Sequence, residues 1–196
     1  MFVLPRVILL ASALTTVSAL GPSRNQIKAL VTFGDSYTDV VSVLPFMVSI
    51  DPEVFLQVST GDNATAWPVF AAEDGHFQLH PFARSGATCS NNLTDRPFPS
   101  VFESQLPLFF TERRNGSLRL NMEETMFTLW IGTNDVGAGA LLTGHQTPGV
   151  TVVDTVSCAV NWVKVLYESG ARNFIFQNVR AVQEKGLKTY PCYHCR

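Results

Sequence analysis

An α/β fold built on a parallel sheet is predicted by three features of the sequence. Short apolar runs stop abruptly at glycine or polar residues, a helical apolar pattern separates the last two runs, and three of the four runs lead into small polar motifs. The composition agrees. The 196 residues are 46% hydrophobic and 15% charged, with a formal net charge of −2. That is one domain, long enough to bury a core and too poor in charge to be disordered. Acids and bases nearly balance and no basic stripe is interleaved with aromatics, so nucleic acid is excluded as a partner. Four cysteines are too few for a disulfide scaffold.

Along the chain, Arg6 precedes an apolar run from Val7 to Ala11, and Val17-Ser18-Ala19 offers small residues at a cleavage site. This is the order of a secretory signal over residues 1–19. A membrane anchor needs about 20 apolar residues, and Ser12, Thr15, Thr16 and Ser18 interrupt the run. Sequons at Asn63, Asn92 and Asn115 agree with export and predict glycosylation there. The first strand is expected at 29–33, stopping at Gly34, and the second at 77–83, ahead of Ser85-Gly86. The third, 126–131, ends at Gly132; the fourth, 174–176, ends near Asn178. Between them Val152, Val156, Ala159, Val160, Val163 and Tyr167 recur at helical spacing, with Asp154, Asn161, Lys164 and Glu168 opposite. Gly170 sits where a C′ glycine would end that helix. A weaker helix follows Ser100, whose spacing to Glu103 reads as a capping box, but Pro107 interrupts it. No repeat or linker divides the chain. Strands alternating with helices predict a parallel sheet covered on both faces, with function at the carboxyl ends of its strands.

The strand ends carry the chemistry. Gly34-Asp35-Ser36-Tyr37-Thr38-Asp39 follows the first strand, Ser85-Gly86-Ala87-Thr88-Cys89 the second, and Gly132-Thr133-Asn134-Asp135 the third. A doubly wound sheet brings all three to one edge. Acyl transfer is the chemistry they suit. Ser36 can present its hydroxyl where the strand turns, and a tetrahedral intermediate needs donors aimed at its oxyanion. The Ser36 N–H, the Gly86 N–H and the Asn134 amide could supply three. Each motif alone is a common turn sequence; their joint order after apolar strands carries the signal.

With Trp67-Pro68, Trp130-Ile131 before Gly132, Ser90-Asn91 after Cys89, and Phe174-Ile175-Phe176-Gln177-Asn178-Val179, these motifs resemble the SGNH or GDSL hydrolases. Within that superfamily the sequence is most similar to secreted fungal acetylesterases of carbohydrate esterase family 16, over about residues 28–179. The resemblance implies a three-layer α/β/α sandwich with a parallel, flavodoxin-like sheet. It implies Ser36 as nucleophile, with Ser36, Gly86 and Asn134 as oxyanion donors. It further implies hydrolysis of acetyl or other short acyl esters, on saccharides such as those of plant cell walls. No metal or organic cofactor, no nucleic acid and no membrane is expected, and the chain is expected to be a monomer.

The family carries its base and orienting acid in a later Asp-x-x-His after a fifth strand. No aspartate of this sequence has histidine three residues on. Glu73, three before His76, comes nearest, but it precedes the second strand and so belongs to the end of the sheet away from Ser36. His80 has no better claim, and His145, in a glycine-rich loop after the third strand, is an outside candidate. Residues 180–196 depart from the family pattern, and Cys192-x-x-Cys195 around His194 is not a four-ligand zinc site. The expectation is an esterase domain over 20–179, C-terminally truncated, lacking its final strand and Asp-x-x-His. Without a base the serine is a weak nucleophile, so this chain is expected to be weakly active or inactive. The alternative is a catalytically dead, saccharide-binding pseudoenzyme. A binder of phosphate-bearing ligands is disfavoured by the lack of a multi-glycine cradle, and an α/β-hydrolase by the lack of Gly-x-Ser-x-Gly. Cys89 and Cys158 could pair or stay free, and Trp67 could stack on a sugar or fill core.

Overall fold

The computed structural model describes residues 21–40 and 66–179. The signal at 1–19, the sequon at Asn63 and the tail 180–196, with Cys192, His194 and Cys195, lie outside the described residues.

Four strands, β1 (Ala29–Gly34), β2 (Gln78–Pro81), β3 (Thr125–Trp130) and β4 (Asn173–Gln177), form one parallel sheet in the order β2-β1-β3-β4. These are the first four positions of a flavodoxin-like sheet, with the reversal of strand order falling between β1 and β3. All six residues of β1 are buried, as a central strand covered on both faces requires. β1 pairs with β3 along its whole length, from Ala29 opposite Thr125 to Gly34 opposite Trp130. The polar motifs that follow the two strands therefore leave the sheet side by side.

Helices cover both faces. Val31 and Phe33 of β1 pack with Phe127 of β3 and with two helices, α2 (Leu106–Asn115) through Phe109 and α4 (Val152–Glu168) through Trp162 and Leu166. The Phe33 ring lies 5.4 Å from Phe82 and 5.7 Å from both Phe109 and Trp162, centroid to centroid. Across the sheet, α1 (Trp67–Gly75) sets Val69 with Ala66, Val40 and Leu79 in a second, smaller cluster. The layers are α/β/α. A short helix α3 (Thr133–Val136) follows β3 directly.

The structure corrects three local expectations. α4 begins and ends as its caps require: Thr151 and Asp154 form a capping box, and Gly170 follows the Ser169 C-cap with φ of 107°. Its buried face, however, is Thr155, Ala159, Trp162 and Leu166, while Val152, Val156, Val160 and Tyr167 are exposed. Two apolar stripes overlap on this helix, and the one carrying tryptophan and leucine buries more area against Phe33 and Phe174. Pro107, secondly, does not break the helix after Ser100. Residues Val101–Gln105 form a π-helical turn, and α2 restarts with Pro107 in its first turn, where a missing N–H costs nothing. Finally, α1 was not expected at all. Its stripe is weak, and Pro68 is the only strong local signal, sitting at the helix start.

Cys89 and Cys158 form a disulfide, Cα to Cα 6.3 Å, that ties the loop after β2 to α4. No helix among the described residues is long and apolar enough to cross a membrane.

Candidate functional site

Gly34 ends β1 in a conformation few other residues adopt, φ 143°, and a Cβ there would run into the Trp130 carbonyl. Buried Gln105 clamps this residue on its other side. Its Oε1 accepts the Gly34 N–H at 3.1 Å, and its Nε2 donates to the Gly34 carbonyl at 2.9 Å and to Pro99 at 3.1 Å. The next residue, Asp35, starts a tight turn. Its carbonyl accepts the N–H groups of Thr38 and Asp39, both at 3.0 Å, and its carboxylate accepts that of Tyr37 at 3.1 Å. Ser36 is left exposed at the crest, its N–H without a partner among the described residues. The Tyr37 ring stacks on Trp130, 5.2 Å between centroids, and the Trp67 indole donates to Thr38 at 3.2 Å. Trp67 thus braces the serine turn from α1.

The other two loops are fastened to this one and to each other. Asp39 accepts the Ser85 N–H at 2.6 Å, fixing the loop after β2 beside the serine turn. Gly86 has φ of 79°, with the Phe98 ring packed where a Cβ would stand, and its N–H has no partner among the described residues. After β3, the Asn134 side-chain nitrogen donates to the Ala87 carbonyl at 2.8 Å. Its amide oxygen accepts from Arg96 at 3.3 Å, and Arg96 also donates to the Asn134 carbonyl at 3.3 Å. Asp135 accepts the Cys89 N–H at 2.9 Å. The structure therefore brings Ser36, Gly86 and Asn134 to one edge of the sheet on three cross-linked loops.

Two carboxyl groups beneath the loops are fully buried, Asp35 and Asp135. Burial raises Asp35 to about 6, against the pull of the Tyr37 N–H, and one of its oxygens has no partner. Burial also raises Asp135 to about 6; the Cys89 N–H opposes this, and the charge of Asp35 adds to it. The second oxygen of Asp135 is likewise unpartnered.

The histidines stand elsewhere. His76 is the left-handed C-cap of α1, and Glu73 lies in the last turn of that helix, its carbonyl accepting the His76 N–H. Both sit where β2 begins, away from Ser36. His80 is on β2, with burial lowering its pKa and its Nε2 unpartnered. His145 is exposed and shares a hydrogen bond with Thr143 at 2.8 Å. No cluster of metal-ligating side chains occurs among the described residues. Sequence reasoning missed Gln105 and Arg96. The signal for Gln105 was a polar residue inside an apolar helical run; Arg96 had none.

No family model matches the chain. It is 28% identical over 199 residues to an acetylesterase of Hypocrea jecorina, covering 90% of this chain and 55% of that protein. It is 26% identical over 167 residues to an acetylesterase of Thermothelomyces thermophilus, covering 80% of this chain and 54% of that protein. A solved carbohydrate esterase, whose active site is described as having divergent catalytic and non-catalytic binding functions, superposes with a TM-score of 0.45 at 20% identity. That superposition covers 80% of this chain and 47% of that structure. The chain spans about half the length of the curated relatives it matches. By sequence it is a relative of fungal acetylesterases.

Proposed function

We propose that the chain carries the nucleophile and oxyanion hole of a secreted serine esterase acting on acetyl esters of carbohydrates. The observation that supports this reading is that three loops fastened to one another at one sheet edge carry an exposed serine and three donor hydrogens without partners among the described residues. They are the N–H groups of Ser36 and Gly86 and the second amide hydrogen of Asn134. Asn92 and Asn115, both exposed, would carry glycans, and the Cys89–Cys158 disulfide suits an oxidising compartment. The exposed Tyr37 ring on Trp130 offers an aromatic surface next to Ser36 for a sugar ring.

In this mechanism Ser36 Oγ attacks the acyl carbon and loses its proton to a base. The carbonyl oxygen becomes an oxyanion and accepts hydrogen bonds from the three donors; collapse breaks the bond to the sugar oxygen, which takes the proton back from the base and leaves as a hydroxyl, and water hydrolyses the acylated serine. The sequence holds no Asp-x-x-His to act as that base. The 196-residue chain is therefore proposed to be weakly active or inactive unaided.

Imidazole supplied in solution can stand in for the missing base. Hydrolysis of p-nitrophenyl acetate by the chain is expected to equal that of Ser36→Ala without imidazole, and to exceed it with imidazole. A Ser36-dependent rate without imidazole comparable to that of a full-length relative overturns the claim of inactivity. No Ser36-dependent rate with imidazole overturns the esterase reading, and saccharide binding retained by Ser36→Ala with no turnover in either form favours a pseudoenzyme.

A further inference from the structure

We propose that Arg96 is a positioning residue of the oxyanion site, holding the Asn134 amide with its nitrogen, rather than its oxygen, available to the acyl oxygen. The inference rests on the esterase reading above.

An asparagine amide can turn over with almost no change of shape, yet only its nitrogen donates. Two contacts decide the matter here. The Ala87 carbonyl can only accept, and it takes one Nδ2 hydrogen at 2.8 Å. The Arg96 guanidinium can only donate, and it holds Oδ1 at 3.3 Å. Turning the amide over would set donor against donor and acceptor against acceptor at both ends. It would also deprive the oxyanion of its side-chain donor.

Arg96 has no competing hydrogen bond among the described residues. It makes no ion pair among the described residues, and its hydrogen bonds go to the side chain and backbone of Asn134. Its guanidinium stands 5.7 Å from the centroid of the Phe98 ring, and that ring covers Gly86. One short loop, 96–98, thereby touches both oxyanion residues that lie outside the serine turn.

Two readouts on the 196-residue chain test this. In amide nitrogen–proton correlation spectra, the Asn134 side-chain pair is identified by its loss in Asn134→Ala. Arg96→Met is expected to move that pair toward the averaged position of exposed amides, and Arg96→Lys to leave it largely in place. In imidazole-assisted hydrolysis, Arg96→Met is expected to lower kcat about 10-fold with KM within about 2-fold, the pattern of an interaction made in the transition state. The double variant with Asn134→Ala should lose no more than Asn134→Ala alone. An unmoved Asn134 pair in Arg96→Met, or a double variant losing the product of both effects, overturns the proposal. Absence of any Ser36-dependent rate is a different failure. It removes the esterase reading, and the resonances still decide whether Arg96 holds Asn134.

Discussion

The two sides of the sheet's carboxyl edge are built on opposite plans. Around β1, β2 and β3 the polar groups are cross-linked over long sequence separations: Gln105 to Gly34, Asp39 to Ser85, Asp135 to Cys89, Asn134 to Ala87. Around β4 and the outer face of α4 the surface is apolar and open. Val152, Val156 and Val160 stand 55–59% exposed, with Ile175 at 44% and Phe176 at 49%. A groove of about 310 Å³ runs between the three valines and Phe176, lined by Ile131, Val136 and Val179 as well. The contrast separates two jobs of the same sheet. Precision at the site comes from tying loops to one another, whereas the β4 side, among the described residues, contributes a core face inward and no hydrogen bond to the site's loops.

The largest effect is expected from Trp162→Ala on the inner face of α4. It removes the largest fully buried side chain, and chemical denaturation is expected to show a loss of about 3–5 kcal/mol. Val156→Ser on the same helix is expected to change stability by less than about 0.5 kcal/mol. Equal costs at the two positions would mean that the outer stripe is as well packed as the inner one.

The clamp on Gly34 ranks next. Gln105→Leu leaves a buried N–H and removes a partner from the Gly34 carbonyl, at an expected cost of about 2–4 kcal/mol. A change smaller than about 0.5 kcal/mol in the urea midpoint analysis would show that the strand end holds itself.

A smaller and pH-dependent effect comes from the buried carboxyl groups. Asp35 and Asp135 titrate at about 6 in the folded chain. An unfolded aspartate titrates near about 3.9. The folded state holds more protons between these values, so their contribution to stability falls as pH rises through that window. Asp135→Asn removes one of the two. Its stability relative to the native chain is expected to improve between about pH 4 and pH 7, by on the order of 2 kcal/mol. A difference that is flat with pH would show that Asp135 titrates normally.

Much of the fold was legible because local chemistry repeats its signals. The four strands stop where Gly34, Ser85-Gly86, Gly132 and Asn178 said they would, within a few residues, and the Gly170 cap ended α4 as expected. The buried face of α4 was not legible, since periodicity finds a stripe without saying what lies opposite it. The sheet chose Trp162 and Leu166 because of Phe33 and Phe174, residues remote in sequence. Pro107 misled for a related reason: a π turn before it shifts the helix start, and no residue type announces such a turn. At the site, the three motifs were visible, but the residues that hold them were not. Gln105 reaches Gly34 across 71 residues and Arg96 reaches Asn134 across 38, and neither spacing follows a period. The pairing of Cys89 with Cys158 is of the same kind.

Whether the three loops form an oxyanion hole is decided by Asn134→Ala in the imidazole-assisted hydrolysis of p-nitrophenyl acetate. The expected result is a fall of about 100-fold toward the rate of Ser36→Ala, with the folded spectrum retained. A rate within about 2-fold of the native chain would contradict the claim, since a true oxyanion donor lost at that position costs roughly 3 kcal/mol of barrier.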